Sequence, residues 1–207
     1  MNLLEIISLK HNTELFLSKW TEGSSRAIAY LSTLVKHDLK KTVTEDSYKV
    51  YRGWKFNDED LVADLFGTNH PNLKSGTKVK VKLESPHSWT KDKAEAVKFA
   101  NPRYDSLNKH WVDDEELEDL GYEAGDLLGI GILVSATILK DAVIADLDNV
   151  NSDILSYDDK EHEIISDKGE FLVEIIDVTV YNHDKSTNSD FNDWTEEEWI
   201  KHNRESR

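Results

Sequence analysis

Apolar positions recur three and four residues apart through residues 3–40. Leu15, Phe16, Leu17 and Trp20 are followed by Ala27, Ala29, Leu31, Leu34 and Val35. That spacing belongs to helices burying one face. Gly23-Ser24-Ser25 predicts a break between two helices, with Ser24 or Ser25 capping the second. Residues 47–54 read as a strand ending at Gly53, and 58–66 as a short helix. From Gly76 onward, Val79, Val81 and Leu83 alternate with Lys78, Lys80 and Lys82, the period of a strand with one wet face. After Pro86 the extended segment Ser88-Trp89-Thr90 leads into a helix, with Thr90 as N-cap and Ala94, Val97 and Phe99 facing inward. Residues 101–127 are polar and irregular, with a short helix at 113–120. Strands follow at Leu127–Ile138 and Val143–Leu147.

A loop at 148–160 precedes a strand entered at Glu161, Asp167-Lys168-Gly169 is turn chemistry, and Phe171–Tyr181 is a long strand. Thr195-Glu-Glu-Glu198 has capping-box spacing and predicts a short terminal helix. Helices gather early and strands late, which predicts an α+β fold. The chain divides into a helical segment (1–46), a core (47–182) and a polar tail (183–207), all within one domain.

Composition narrows the classes. At 207 residues the chain is long enough to bury a core. Lys and Arg number 25 against 41 Asp and Glu, a formal charge of −16. Such a surface repels phosphate at long range and makes broad nucleic-acid binding unfavourable. There is no cysteine, hence no thiolate nucleophile, disulfide or zinc-thiolate site. No apolar run reaches membrane-spanning length, and Glu5 interrupts a start without a basic flank. A soluble, cytoplasmic protein is the expectation.

Three stretches carry candidate chemistry. In Glu161-His162-Glu163, both carboxylates face the same way on a strand, about 6.6–6.8 Å apart along it. Such a pair can divide labour: one opposes positive charge or holds a hydroxyl, the other takes a proton. In Tyr51-Arg52-Gly53, the guanidinium suits phosphate or carboxylate and the glycine permits close approach. In Ser88-Trp89-Thr90, two hydroxyls at i and i+2 share a face and can buttress a carboxylate. Taken singly, each is also what a solvated strand start, a surface ion pair or a helix cap would show. Metal sites are not expected. The eight His residues lack paired ligand spacing, and the acidic stretch from Asp146 has Val150 and Asn151 where a calcium loop needs a ligand and a glycine. Lys78, Lys80 and Lys82 form a small basic stripe.

The order of the three stretches resembles the mono-ADP-ribosyltransferases of the Arg–Ser–Glu class, over about residues 47–181. Glu161-His-Glu-Ile-Ile-Ser-Asp-Lys-Gly-Glu-Phe171 is similar to that family's Glu-x-Glu, apolar pair, turn glycine and closing strand. The compact size looks more like the phage-encoded T-even type than exported toxins, which would place the protein in a host cytoplasm. The resemblance implies two packed, mostly antiparallel sheets with NAD as co-substrate in the cleft between them, and no metal. It implies Arg52 on the NAD phosphates, Gly53 near the nicotinamide and Ser88 holding the catalytic Glu163. Glu161 becomes the residue associated with arginine acceptors. Thr90 matches the second hydroxyl of the family's Ser-Thr-Ser, with Trp89 as a departure. Phe99 matches an aromatic stacking on nicotinamide, Tyr104 is a rival for that role, Arg103 a second phosphate contact, and Tyr157 an acceptor-recognising aromatic. The implied activity is transfer of ADP-ribose to an acceptor protein with a basic surface, on arginine. The alternatives are an NAD glycohydrolase, a transferase using NAD-capped RNA or nucleic acid, and a non-catalytic acidic binding or inhibitor protein.

Overall fold

The spaced apolar residues at the start of the chain form helix α1 (Leu3–Thr21) in the computed structural model of the protein, which describes residues 3–105, 110–123, 125–150 and 162–183. Gly23, at φ +67°, ends α1: Ser24 N–H donates to the Lys19 carbonyl and Gly23 N–H to that of Trp20. This is the paired-bond helix stop that a left-handed residue allows. Ser24 is indeed a cap, but it opens a 3-10 turn, Ser25–Tyr30, rather than a second long helix. Helix α2 (Thr33–Leu39) has its own cap, the Ser32 hydroxyl accepting from Val35 N–H.

Strand β1 (Ser47–Phe56) runs past Gly53 instead of ending there. Helix α3 (Glu59–Phe66) is capped by Asp58, and β2 (Lys78–Leu83) alternates as its sequence predicts. Strand β3 (His87–Thr90) is followed by α4 (Lys93–Ala100). Thr90 is therefore the last residue of a strand and not the helix cap: its hydroxyl accepts from Asp92 N–H in the turn ahead of α4. The fully buried residues of α4 are Ala96 and Ala100, whereas Ala94, Val97 and Phe99 are half-buried. The reason lies under the helix. A Cβ on Gly53 would stand 2.0 Å from the Ala96 carbonyl oxygen, and one on Gly131 would stand 2.2 Å from that of Ala100. Two glycines let the helix backbone settle directly on strands, so the smallest residues of α4 face inward.

The short helix expected at 113–120 is α5 (Asp114–Asp119), opened by an Asp113–Glu116 capping box, and the irregular residues before it hold β4 (Tyr104–Asp105) and β5 (His110–Trp111). Strands β6 (Leu127–Leu139), β7 (Val143–Asp146), β8 (Glu163–Ser166) and β9 (Gly169–Asn182) complete the described chain. The fold is α+β, with N-terminal helices and a large antiparallel sheet. Where two packed sheets were expected, the strands form one seven-stranded run, β2-β9-β6-β1-β3-β8-β7, plus the ribbon β4-β5.

Among the described residues, contacts divide the chain into two units, one from 1–50, 80–92 and 136–172, the other from 51–79, 93–135 and 173 onward. In the first, Phe16 and Leu17 of α1, Val35 and Leu39 of α2, and Ile144, Ala145, Leu147 and Ile165 form one core. In the second, Trp54 and Phe56 of β1 meet the Phe66 ring edge-on, at 5.6 and 6.2 Å. Among the described residues no helix is long and apolar enough to cross a membrane. The predicted terminal helix lies outside the described residues, as do Glu161 and Tyr157.

Candidate functional site

Ser88, Thr90 and Glu163 meet in the first unit through one strand pairing. β3 and β8 are antiparallel with Thr90 opposite Glu163 and Ser88 opposite Ile165. Directly opposed residues share a face, as do i and i+2 on each strand. Both hydroxyls and the Glu163 carboxylate therefore lie on one face, Thr90 straight across from Glu163 and Ser88 on its diagonal. Trp89 goes to the other face. It is fully buried, packs 5.6 Å from the Phe171 ring, and donates its indole N–H to Ser166 Oγ at 2.9 Å. The bulky residue between the hydroxyls thus anchors β3 from behind and leaves their face clear of its ring.

Glu163 has a partner that sequence reasoning missed. The indole N–H of Trp20, on the last turn of α1, donates to Glu163 Oε1 at 2.6 Å across 143 positions of chain. In the sequence Trp20 is one apolar position of an amphipathic helix, and nothing local marks its N–H as bound for a distant carboxylate.

A second unforeseen cluster fixes the chain just before Glu163. Lys91 Nζ donates to both oxygens of Asp146 and to Asp148 Oδ2, each at 2.9 Å, and sits 5.4 Å from the Tyr48 ring centre. Asp148 also meets His162 Nδ1 at 3.1 Å. Lys91 N–H donates to the His162 carbonyl at 3.0 Å, and His162 holds a left-handed φ of 48°. The acidic stretch from Asp146, which lacks the glycine of a calcium loop, is thus a receptor for an ammonium group. Burial pulls Lys91 down, but its bonds to Asp146 and Asp148 outweigh that and hold it above the ordinary lysine range. Burial pushes Asp148 up, but Lys91 and His162 outweigh that and hold its carboxyl below the usual range.

The remaining candidates belong to the second unit. Gly53 points at the α4 backbone, so packing alone demands glycine there. Arg52 and Trp54 face the opposite way, the guanidinium carbon 5.2 Å from the indole centre. Phe99 meets Tyr104 edge-on at 5.9 Å, and Tyr104 lies 5.2 Å from Trp111. Tyr104 is buried, whereas Phe99 is half-buried and better placed to offer a ring face. Arg103 Nη1 donates to Asp114 Oδ1 at 3.0 Å, and buried His183 Nε2 stands 3.6 Å from the same oxygen. A phosphate at Arg103 would compete with that carboxylate.

The basic stripe is neutralised: Lys80 pairs with Glu170 at 2.8 Å, Lys82 with Glu84 at 2.6 Å, and Lys78 with Glu174 at 4.0 Å. Among the described residues no group of three or more His, Asp or Glu is arranged to hold a metal ion. Comparison with family models, with curated proteins and with solved structures finds no match to this chain.

Proposed function

We propose that the protein is a mono-ADP-ribosyltransferase that moves ADP-ribose from NAD to arginine on an acceptor protein and releases nicotinamide. The observation that carries this reading is the face shared by Ser88, Thr90 and Glu163, with the carboxylate gripped by an indole N–H. Breaking the bond between nicotinamide and ribose builds positive charge on the sugar. The leaving group is already cationic, so no general acid is needed. A fixed carboxylate that binds the ribose 2′-hydroxyl and opposes that charge is what lowers the barrier. Glu163 takes this role, with Ser88 and Thr90 beside it as hydroxyl partners.

The pyrophosphate, which the acidic surface would otherwise repel, calls for a permanent cation, the chemistry that a guanidinium such as that of Arg52 supplies. Glu161 orients the arginine acceptor and accepts its proton. A net charge of −16 steers basic acceptor surfaces inward. The paired lysines of β2 count against an RNA donor or acceptor.

The test is incubation of lysate proteins with enzyme and NAD labelled in its adenylate half, followed by mass spectrometry of labelled bands. Modified arginine is the expected result. Free ADP-ribose without protein label would replace the transferase with a glycohydrolase. Glu163→Gln keeps NAD binding and lowers turnover by about 10²–10³-fold or more, the scale of a lost electrostatic stabiliser. Full activity in that variant would refute the proposal.

A further inference from the structure

The geometry points to Trp20 as the residue that positions Glu163 for its work on the ribose, an inference that rests on the function proposed above. An indole N–H can only donate, and a carboxylate accepts best when ionised. At 2.6 Å the Trp20–Glu163 bond therefore fixes one carboxylate oxygen in space and favours the charged form. The carboxylate so oriented is the group that the proposal sets against the ribose hydroxyl.

The indole is itself held from several sides. Its ring lies 5.5 Å from that of Phe16, one helical turn earlier, and Phe16 is fully buried in the core that also contains Ile165 of β8. Gly23 stops α1 within one turn beyond Trp20, with the Gly23 N–H on the Trp20 carbonyl. Helix and strand thus share a core, and the hydrogen bond forms where that core reaches Glu163. On this view the N-terminal helices are part of the catalytic apparatus. They supply the donor that orients the acid from an element other than the strand that carries the hydroxyls.

Two replacements separate the hydrogen bond from the packing. Trp20→Phe keeps an aromatic ring. Replacement of Trp20 by 3-benzothienylalanine keeps the bicyclic shape and puts sulfur where the N–H was. Both are compared with the unaltered protein by nicotinamide release from NAD over a range of pH, and by melting temperature. The expected result is a kcat lower by about tenfold or more, with KM for NAD within about twofold. The acidic limb of the kcat profile moves to higher pH, because the carboxylate has lost a donor to its charged form. A ¹³C titration of the Glu163 carboxyl, assigned with Glu163→Gln, reads the same upward move without NAD.

An unchanged kcat and an unmoved Glu163 titration in the sulfur isostere would overturn the inference. So would a parallel loss in kcat and KM with no shift on the pH axis, which is what a merely structural tryptophan gives. If instead Glu163→Gln releases nicotinamide as fast as the parent protein, the proposed function fails, and the carboxyl titration still decides what Trp20 does to Glu163.

Discussion

Lys91→Met tests whether the segment that delivers Glu163 depends on a buried ion cluster. The substitution keeps the length and most of the volume of the side chain and removes its charge. Its burden falls on Asp146, whose side chain is 1 % exposed and receives Lys91 Nζ on both oxygens at 2.9 Å. Asn149 Nδ2, at 3.1 Å, remains as a neutral donor. Removing one partner of a buried pair leaves an uncompensated charge and costs about 3–5 kcal/mol. Lys91 is 26 % exposed and Asp148 28 %, so water reaches one side of the cluster and the lower end, about 3 kcal/mol, applies.

Asp146→Asn is the informative contrast. It keeps an acceptor oxygen for Lys91, which still has Asp148 and the Tyr48 ring, so the cost is a weakened charged hydrogen bond of about 1–2 kcal/mol. Urea midpoints of both variants at pH 7 give the comparison, provided m is unchanged. Acid adds a second check with a definite sign. Asp148 is held below its ordinary value of 3.8, so its contribution is present above that value and fades as pH falls through the lowered one. Lys91→Met has already lost most of that contribution, so its gap to the parent narrows in acid. A Lys91→Met midpoint indistinguishable from the parent, or an Asp146→Asn cost larger than that of Lys91→Met, would refute the reasoning.

Gly53→Ala brings a Cβ within 2.0 Å of the Ala96 carbonyl oxygen and 2.4 Å of the Ala100 nitrogen, both backbone atoms that cannot swing aside. A loss of about 3 kcal/mol or more, or failure to fold, is expected on thermal melting; a melt like the parent's would mean α4 does not sit against β1 as described. Burial pushes the Tyr181 phenol up to about 12 against the countering Thr179 contact, with Asp177 adding to the rise. Its folded value lies above the unfolded one, so stability is full below about pH 10 and falls as pH approaches 12. Tyr181→Phe should flatten that part of the alkaline stability curve, and an unaltered curve would count against the burial of the hydroxyl.

The periodic segments were legible because burial of one face imposes a period that the sequence must carry. α1, β1, α3, β2, β6 and β9 all lie close to their expected places. The sequence is ambiguous where a hydroxyl or a glycine has two possible employments. Thr90 could cap a helix or close a strand, and only the pairing of β3 with β8 decides in favour of the strand. Gly53 could clear a path for a ligand or for a neighbouring helix, and the α4 backbone fills its space. The expected inner face of α4 failed for the same reason, since Ala96 and Ala100 matter only once two glycines on strands are known to face them. The ribbon β4-β5 escaped notice because two-residue strands are too short to display alternation.

The candidate site divides along the same line. Ser88, Thr90 and Glu163 could be proposed as a set because a motif order tied them together, and alternation alone then predicts which face each takes. Trp89 departs from the Ser-Thr-Ser pattern, and the same alternation turns it to the back of the strand, where its bulk helps hold β3 in place. Trp20, Lys91 and Asp148 carry no such signature. Each meets its partner through chain separations of 143, 55 and 14 residues, for Trp20–Glu163, Lys91–Asp146 and Asp148–His162 respectively. A sequence reading identifies groups able to perform a chemistry, but the donors that orient those groups are ordinary residues until tertiary packing brings them close. The supports of a site are for that reason better targets than the site itself for separating a catalytic reading from a merely structural one. Removing Glu163 stops any chemistry that uses it, whereas removing the Trp20 N–H or the Lys91 charge must change rate, pH dependence and stability in different proportions.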